Sequence, residues 1–372
     1  MSIAKWNAEL REAASQGNLG RLEEALKHFA DVDSVDEKEK TSLVLAAIGG
    51  HKDCVLRLIE AGADVDHQAH FEMTPLIHAA MKSDLQCVSI LVEAGASLDM
   101  QDSHGYTALM RAIGEGADEC VDVLLNAGTD ITLEGYEGDT ILTVAMRSGT
   151  DQYLDRLLAM KLRLDVETKR GNTPLMHAGV YASAESVNKL VSAGTDVNYR
   201  NNRDKTAIMY AARRGREDTV AAMLSHKADV TIIDDDGYTV LLHALATGQA
   251  GVTALLLQAG ADPNQKDEYG CAALIYAASE SSVDCIDLLL KAGAQVNHAT
   301  SDGATALSVA VREEAKDCVQ HLVARGANLD ILSDEDKDKF ATEIAEGLRN
   351  FKQYQHEGRI ARQRSVRRYM KR

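Results

Sequence analysis

The stretch Thr74-Pro-Leu-Ile-His-Ala-Ala-Met, continued by Val88 and Leu91 and closed by Ala94-Gly95, decides how the rest of the chain reads. Threonine ahead of a helical run caps orphan amides, and proline at the next position needs no amide hydrogen. The paired alanines let neighbouring helices approach closely. Val88 and Leu91 sit three apart on one face of a second helix. Gly95 can take the left-handed conformation that stops that helix.

Moving outward in steps of 33 residues, the same opening returns as Thr41-Ser-Leu, Thr107-Ala-Leu, Thr140-Ile-Leu, Thr173-Pro-Leu, Thr206-Ala-Ile, Thr239-Val-Leu, Ala272-Ala-Leu and Thr305-Ala-Leu. One step back reaches Ala8-Glu-Leu, which gives ten registers. A fixed period of this length is the signature of stacked helix-turn-helix units. The second-helix stops recur as Gly62, Gly128, Gly194, Gly260, Gly293 and Gly326. Met160-Lys161 and His226-Lys227 stand where Ala-Gly is expected, so altered or weaker stacking is predicted in the repeats opening at Thr140 and Thr206.

Gly-x-Thr-Pro-Leu, paired Ala, Val-x-x-Leu-Leu and Ala-Gly-Ala-Asp-Val-Asn together resemble the ankyrin repeat over residues 6 to about 335. The resemblance implies an all-α repeat solenoid with short hairpin tips and a concave face made of first helices and tips. It also implies a histidine three places after each Thr. Here Val44, Ile77, Met110, Thr143, Met176, Met209, Leu242, Ile275 and Ser308 stand instead, so its inter-repeat hydrogen bonds must be absent or replaced.

The domain reading is therefore 1–335 as repeats, 336–355 as a capping helix and 356–372 as a basic tail. Phe340, Ile344, Leu348 and Phe351 at helical spacing mark the cap, which an open stack requires. The chain of 372 residues carries a net charge of −17. The tail alone holds six Arg and one Lys against Glu357; without its excess of six positive charges the remainder stands at −23. So acidic a body is a poor general binder of nucleic acid or anionic membrane.

No apolar run is long enough to cross a bilayer and no signal peptide is evident, so a cytoplasmic location is expected, with the cytoskeleton and the nucleus left open. Six cysteines are too few for a disulfide framework. Five of them, Cys54, Cys87, Cys120, Cys285 and Cys318, share one repeat position and read as buried reduced thiols. No nucleotide loop, metal-binding spacing or catalytic motif is present, so no enzyme activity and no cofactor are expected. His78, His177 and His243 share a position four after the opening, too far apart to hold one ion.

Candidate contacts gather on the expected concave side. Helix positions there carry Arg111, Arg147, Arg213 and Arg214; Phe71, Tyr106, Tyr136, Tyr238 and Tyr269 fall near the tips; Tyr181, Tyr210 and Tyr276 lie on first helices. Arg and Tyr are the usual anchors of protein interfaces. The alternative is that each Tyr packs against its neighbouring tip. The expectation is a scaffold or adaptor whose middle repeats hold a protein segment with acidic and apolar residues, through Arg111, Arg147, Tyr181, Tyr210, Arg213 and Arg214.

Two other roles remain open: attachment, for example to the cytoskeleton, through the tail residues Arg359, Arg362, Arg364, Arg367, Arg368, Lys371 and Arg372, and regulation of an enzyme. Acidic partners for the tail would be a tubulin tail, a phosphorylated protein, RNA or anionic lipid, with phosphorylation of Ser365 weakening the contact. Asn198 lies in a context in which, by the resemblance, an asparagine can be hydroxylated; a plain turn asparagine is the competing reading.

Overall fold

The computed structural model describes residues 2–354. The tail arginines, Lys371 and Ser365 lie outside the described residues. The chain divides into two compact units, one ending at Thr195 and one beginning at Asp196.

In the first unit, helices Ser42–Gly49, Pro75–Met81, Ala108–Glu115, Ile141–Ser148 and Pro174–Tyr181 are each followed by a second helix: Lys52–Glu60, Leu85–Glu93, Asp118–Asn126, Leu154–Ala159 and Ala184–Ser192. In the second unit the pairs are Ala207–Arg213 with Glu217–Ser225, Val240–Leu245 with Ala250–Gln258, Ala273–Ser279 with Val283–Lys291, and Ala306–Arg312 with Lys316–Ala324. Among the described residues the only β-pairing is four isolated bridges, at Ala69, Ile233, Lys266 and Ala299. No helix among them is long and apolar enough to cross a membrane.

The opening threonine caps the first helix as its chemistry demands. Thr41, Thr74, Thr107, Thr140, Thr239 and Thr305 each accept the amide three residues on, worth about 1 kcal/mol apiece. Thr173 and Ala272 make no such bond, and the Thr206 hydroxyl is buried without a partner. The expected helix start at Ala8 is corrected: that helix is Ile3–Gln16, because nothing before Ala8 interrupts it.

Leu43, Leu76, Leu109, Leu142, Leu175 and their second-helix partners Leu58, Leu91 and Leu124 are essentially fully buried, each contributing roughly 1.5–3 kcal/mol. The five aligned cysteines are buried and unbridged. Burial pushes the Cys87 thiol up to about 12 and those of Cys120 and Cys318 to about 11, so these three stay protonated.

Lys161 and Lys227 take the left-handed conformation that glycine holds elsewhere in the column, with φ of 54° and 63°. The two repeats then differ. In the Thr140 repeat the second helix shortens to the six residues Leu154–Ala159 behind a 3-10 turn, whereas Glu217–Ser225 keeps the usual nine.

Two ladders tie neighbouring repeats together in place of the missing histidine. At the tips, backbone amides of His70, Ser103, Tyr136 and Lys169 donate to carbonyls of Lys38, Phe71, His104 and Glu137 in the preceding tip. The approach is close: a Cβ on Gly105, which holds φ of 80°, would strike the Tyr136 amide. In the loops after the second helices, an Asp or Asn side chain accepts an amide 31 residues on, as Asp33 does from Asp64 and Asn264 from Gln295. Thr132 and Thr231 occupy that position elsewhere and turn back onto Asp130 and Asp229.

At the end of the second unit, helix Asp334–Lys339 and the helical residues 341–354 lie against the last repeat. Phe340 is buried, Gly347 sits against Gln320 and Val323, and Lys316 pairs with Glu343 at 3.4 Å. Leu348, expected on the packed face, is instead 41% exposed.

Candidate protein-binding surfaces

The tips and first helices are joined by a column of polar side chains that sequence reading missed. Five residues before the opening stand Asp36, Asp102, Asn201, Asp234 and Asp267. One side-chain oxygen of each accepts amides two and four residues on, closing the tip. In the last four repeats of this set the second atom reaches the residue four after the opening. Asp102 takes Arg111 at 2.8 Å, Asn201 donates to the Tyr210 hydroxyl at 3.0 Å, Asp234 meets His243 at 2.8 Å and Asp267 accepts from Tyr276. The recurrence of Asp and Asn at a spacing of 33 was the available signal.

This column places the candidate residues in two groups. In the first unit Arg111 lies on the fully buried Asp102 carboxylate and over the Tyr106 ring at 4.6 Å. Arg147 pairs with Asp139 at 3.0 Å and donates to the Tyr106 hydroxyl, which itself donates to Asp139. Burial, reinforced by Asp139, raises the Tyr106 phenol above its usual range. Arg111, Arg147 and Tyr106 are therefore each paired within the protein, with both guanidinium groups still partly exposed. Phe71, Tyr136 and Tyr181 are exposed, Phe71 at 60%.

In the second unit Tyr238 packs on His243 and edge-on to Tyr276, and the Tyr276 hydroxyl reaches both Asp267 and Tyr238. Burial drives the Tyr276 phenol upward and the His243 imidazole downward, with Asp234 partly offsetting the latter. Tyr269 is 65% exposed. Asp234, Asp235 and Asp236 cluster closely enough to suggest a cation, but Arg203 and Lys205 already pair with them and the His243 ring is hydrogen-bonded to Asp234. Arg213 and Arg214 are exposed and make no ion pair among the described residues. Arg213 borders a cleft of ≈310 Å³ walled by Tyr238, Tyr269, Glu268 and Ala246. Asn198 accepts the Asp229 amide at 2.8 Å and reaches the Lys227 carbonyl, so its amide is engaged between repeats.

A family model for ankyrin repeats in three copies matches residues 57–135, 128–201, 180–267 and 252–333, and a single-repeat model matches 38–70. Among solved structures, the human ASB11 ankyrin repeat domain is similar at 29% identity and a TM-score of 0.53, over 59% of this chain and 98% of that one. The search of curated proteins finds no match. Repeated Thr caps, buried aliphatic columns, tip ladders and these matches agree: the chain belongs to the ankyrin-repeat family.

Proposed function

We propose that the chain is a non-catalytic scaffold or adaptor, and that the unit beginning at Asp196 takes a partner segment bearing acidic and apolar residues. Ankyrin repeats generally serve as protein-binding modules, which supports the coarse reading. The finer reading rests on one observation. In a chain of net charge −17, where Arg111, Arg147 and Arg203 are each matched by the chain's own carboxylates, Arg213, on the cleft with exposed Tyr269, and its neighbour Arg214 are exposed and have no ion pair among the described residues.

A partner carboxylate reaching Arg213 gains a charge-assisted hydrogen bond, and the Tyr238 and Tyr269 rings supply apolar wall at little entropic cost. Affinity purification of the full chain with crosslinking mass spectrometry identifies the partner. Exchanging both arginines for glutamate is expected to weaken that complex by about tenfold or more; unchanged affinity overturns the assignment. Attachment through residues 356–372 is a separate matter of tail composition, and deleting them tests it without touching the cleft.

A further inference from the structure

The tip column shows what a polar residue four after the opening requires. Arg111, Tyr210, His243 and Tyr276 each find an Asp or Asn nine residues earlier. His177 occupies the same place, but its counterpart is Thr168, whose hydroxyl is spent on the Asn172 amide. The His177 Nε2 is buried and has no partner. A buried ring nitrogen without a hydrogen bond is costly and needs an explanation.

Where Asp234 fills this position in another repeat, its carboxylate sits 2.8 Å from His243 Nε2. A cavity of ≈290 Å³ lies at His177 as one of ≈310 Å³ lies at His243, but at His177 Thr168 stands in place of the Asp, and Arg170, Arg147, Asn172 and Asp139 share the wall. Arg147 is committed to Asp139 and Tyr106. Glu137 also faces the cavity and is paired with Lys169 at 3.5 Å. Arg170 is exposed and makes no ion pair among the described residues, which leaves one cation at the mouth without a carboxylate among them.

We infer that this cavity is a second binding site, receiving an Asp or Glu side chain of a bound peptide whose carboxylate accepts from His177 Nε2 and pairs with Arg170. The guest carboxylate takes the place that Asp234 holds within its own repeat. The site lies in the first unit; it rests on the protein-binding reading of the fold but not on Arg213 or Arg214.

Panning the full chain against a phage-displayed random-peptide library tests it. The expected result is clones with a recurrent acidic residue whose binding falls about tenfold in Thr168→Asp, His177→Leu and Arg170→Glu, and is unaffected by Arg213→Glu with Arg214→Glu. Thr168→Asp is the sharpest variant, because Asp already fits this tip position at residues 102, 234 and 267 and would occupy the site from within. Should it fold poorly, His177→Leu removes the donor from the other side. Recovery of no acidic clones, undiminished binding to folded variants, or loss only on changing Arg213 and Arg214 overturns the inference.

Discussion

The loops after the second helices are bridged by aspartate in the first unit and by asparagine in the second, and the exchange changes what the bridge can do. Asp33, Asp66 and Asp99 each accept an amide from the next repeat, Asp66 taking the Ser97 hydroxyl as well, and they bring negative charge to the surface. Asn198, Asn264 and Asn297 accept the corresponding amide and also donate to a carbonyl 29 residues on, at Lys227, Gly293 and Gly326. The same backbone position therefore carries acid in one unit and a second inter-repeat hydrogen bond in the other. The polar tip column differs too. The first unit uses Asp102 to hold a charged Arg111 and leaves His78 and His177 unmatched, whereas the second gives His243 an aspartate.

The largest expected break in this comparison is Asp102→Ala. It strands Arg111 and uncaps the His104 and Tyr106 amides together, at a cost of about 3 kcal/mol. Urea unfolding followed by hydrogen exchange should show the loss in residues 75–126 first; an unaltered midpoint would show that the tip column carries little stability.

Acid should separate the units next. Burial holds His78 and His177 at about 4, well below the ordinary imidazole value of 6.5. Between those values the unfolded chain binds more protons than the folded one, so stability present above pH 6.5 is lost as pH falls toward 4. Each histidine contributes on the order of 1–3 kcal/mol to that slope. Hydrogen exchange of the two units across this range should show the first loosening earlier, and His78→Leu with His177→Leu should flatten its dependence.

The smallest effect sharpens the bridge itself. Asp99→Asn offers the Gly128 carbonyl a donor, as Asn264 does for Gly293, and should stabilise by about 0.5–1 kcal/mol. Asn264→Asp should lose a similar amount, and thermal unfolding of the pair reads both signs.

Much of the fold was legible because it is periodic. Thr at every 33rd residue predicts a cap, paired alanines a close helix contact, and aligned Val, Leu and Cys a buried column; these depend on residues within one helical turn or one repeat. The loss of glycine at Lys161 and Lys227 was legible for the same reason, while the left-handed conformation that both lysines keep was seen only in the structure. The shortened helix Leu154–Ala159 was not, since Tyr153 ends in a 3-10 turn donating to Asp118 of the preceding repeat, a contact set by packing.

The candidate surface was only half legible. Sequence alone determined that Arg and Tyr collect on first helices and tips, because position within the repeat fixes which face a side chain occupies. Only the tertiary structure decided which of them are available. Each hairpin tip folds back over its own first helix, so residues eight or nine apart in sequence meet, and Asp102 and Asp139 pair with Arg111 and Arg147 while Arg213 and Arg214 have no ion pair among the described residues. The charge of a side chain is written in the chain; whether another carboxylate reaches it first is a property of the packed tip.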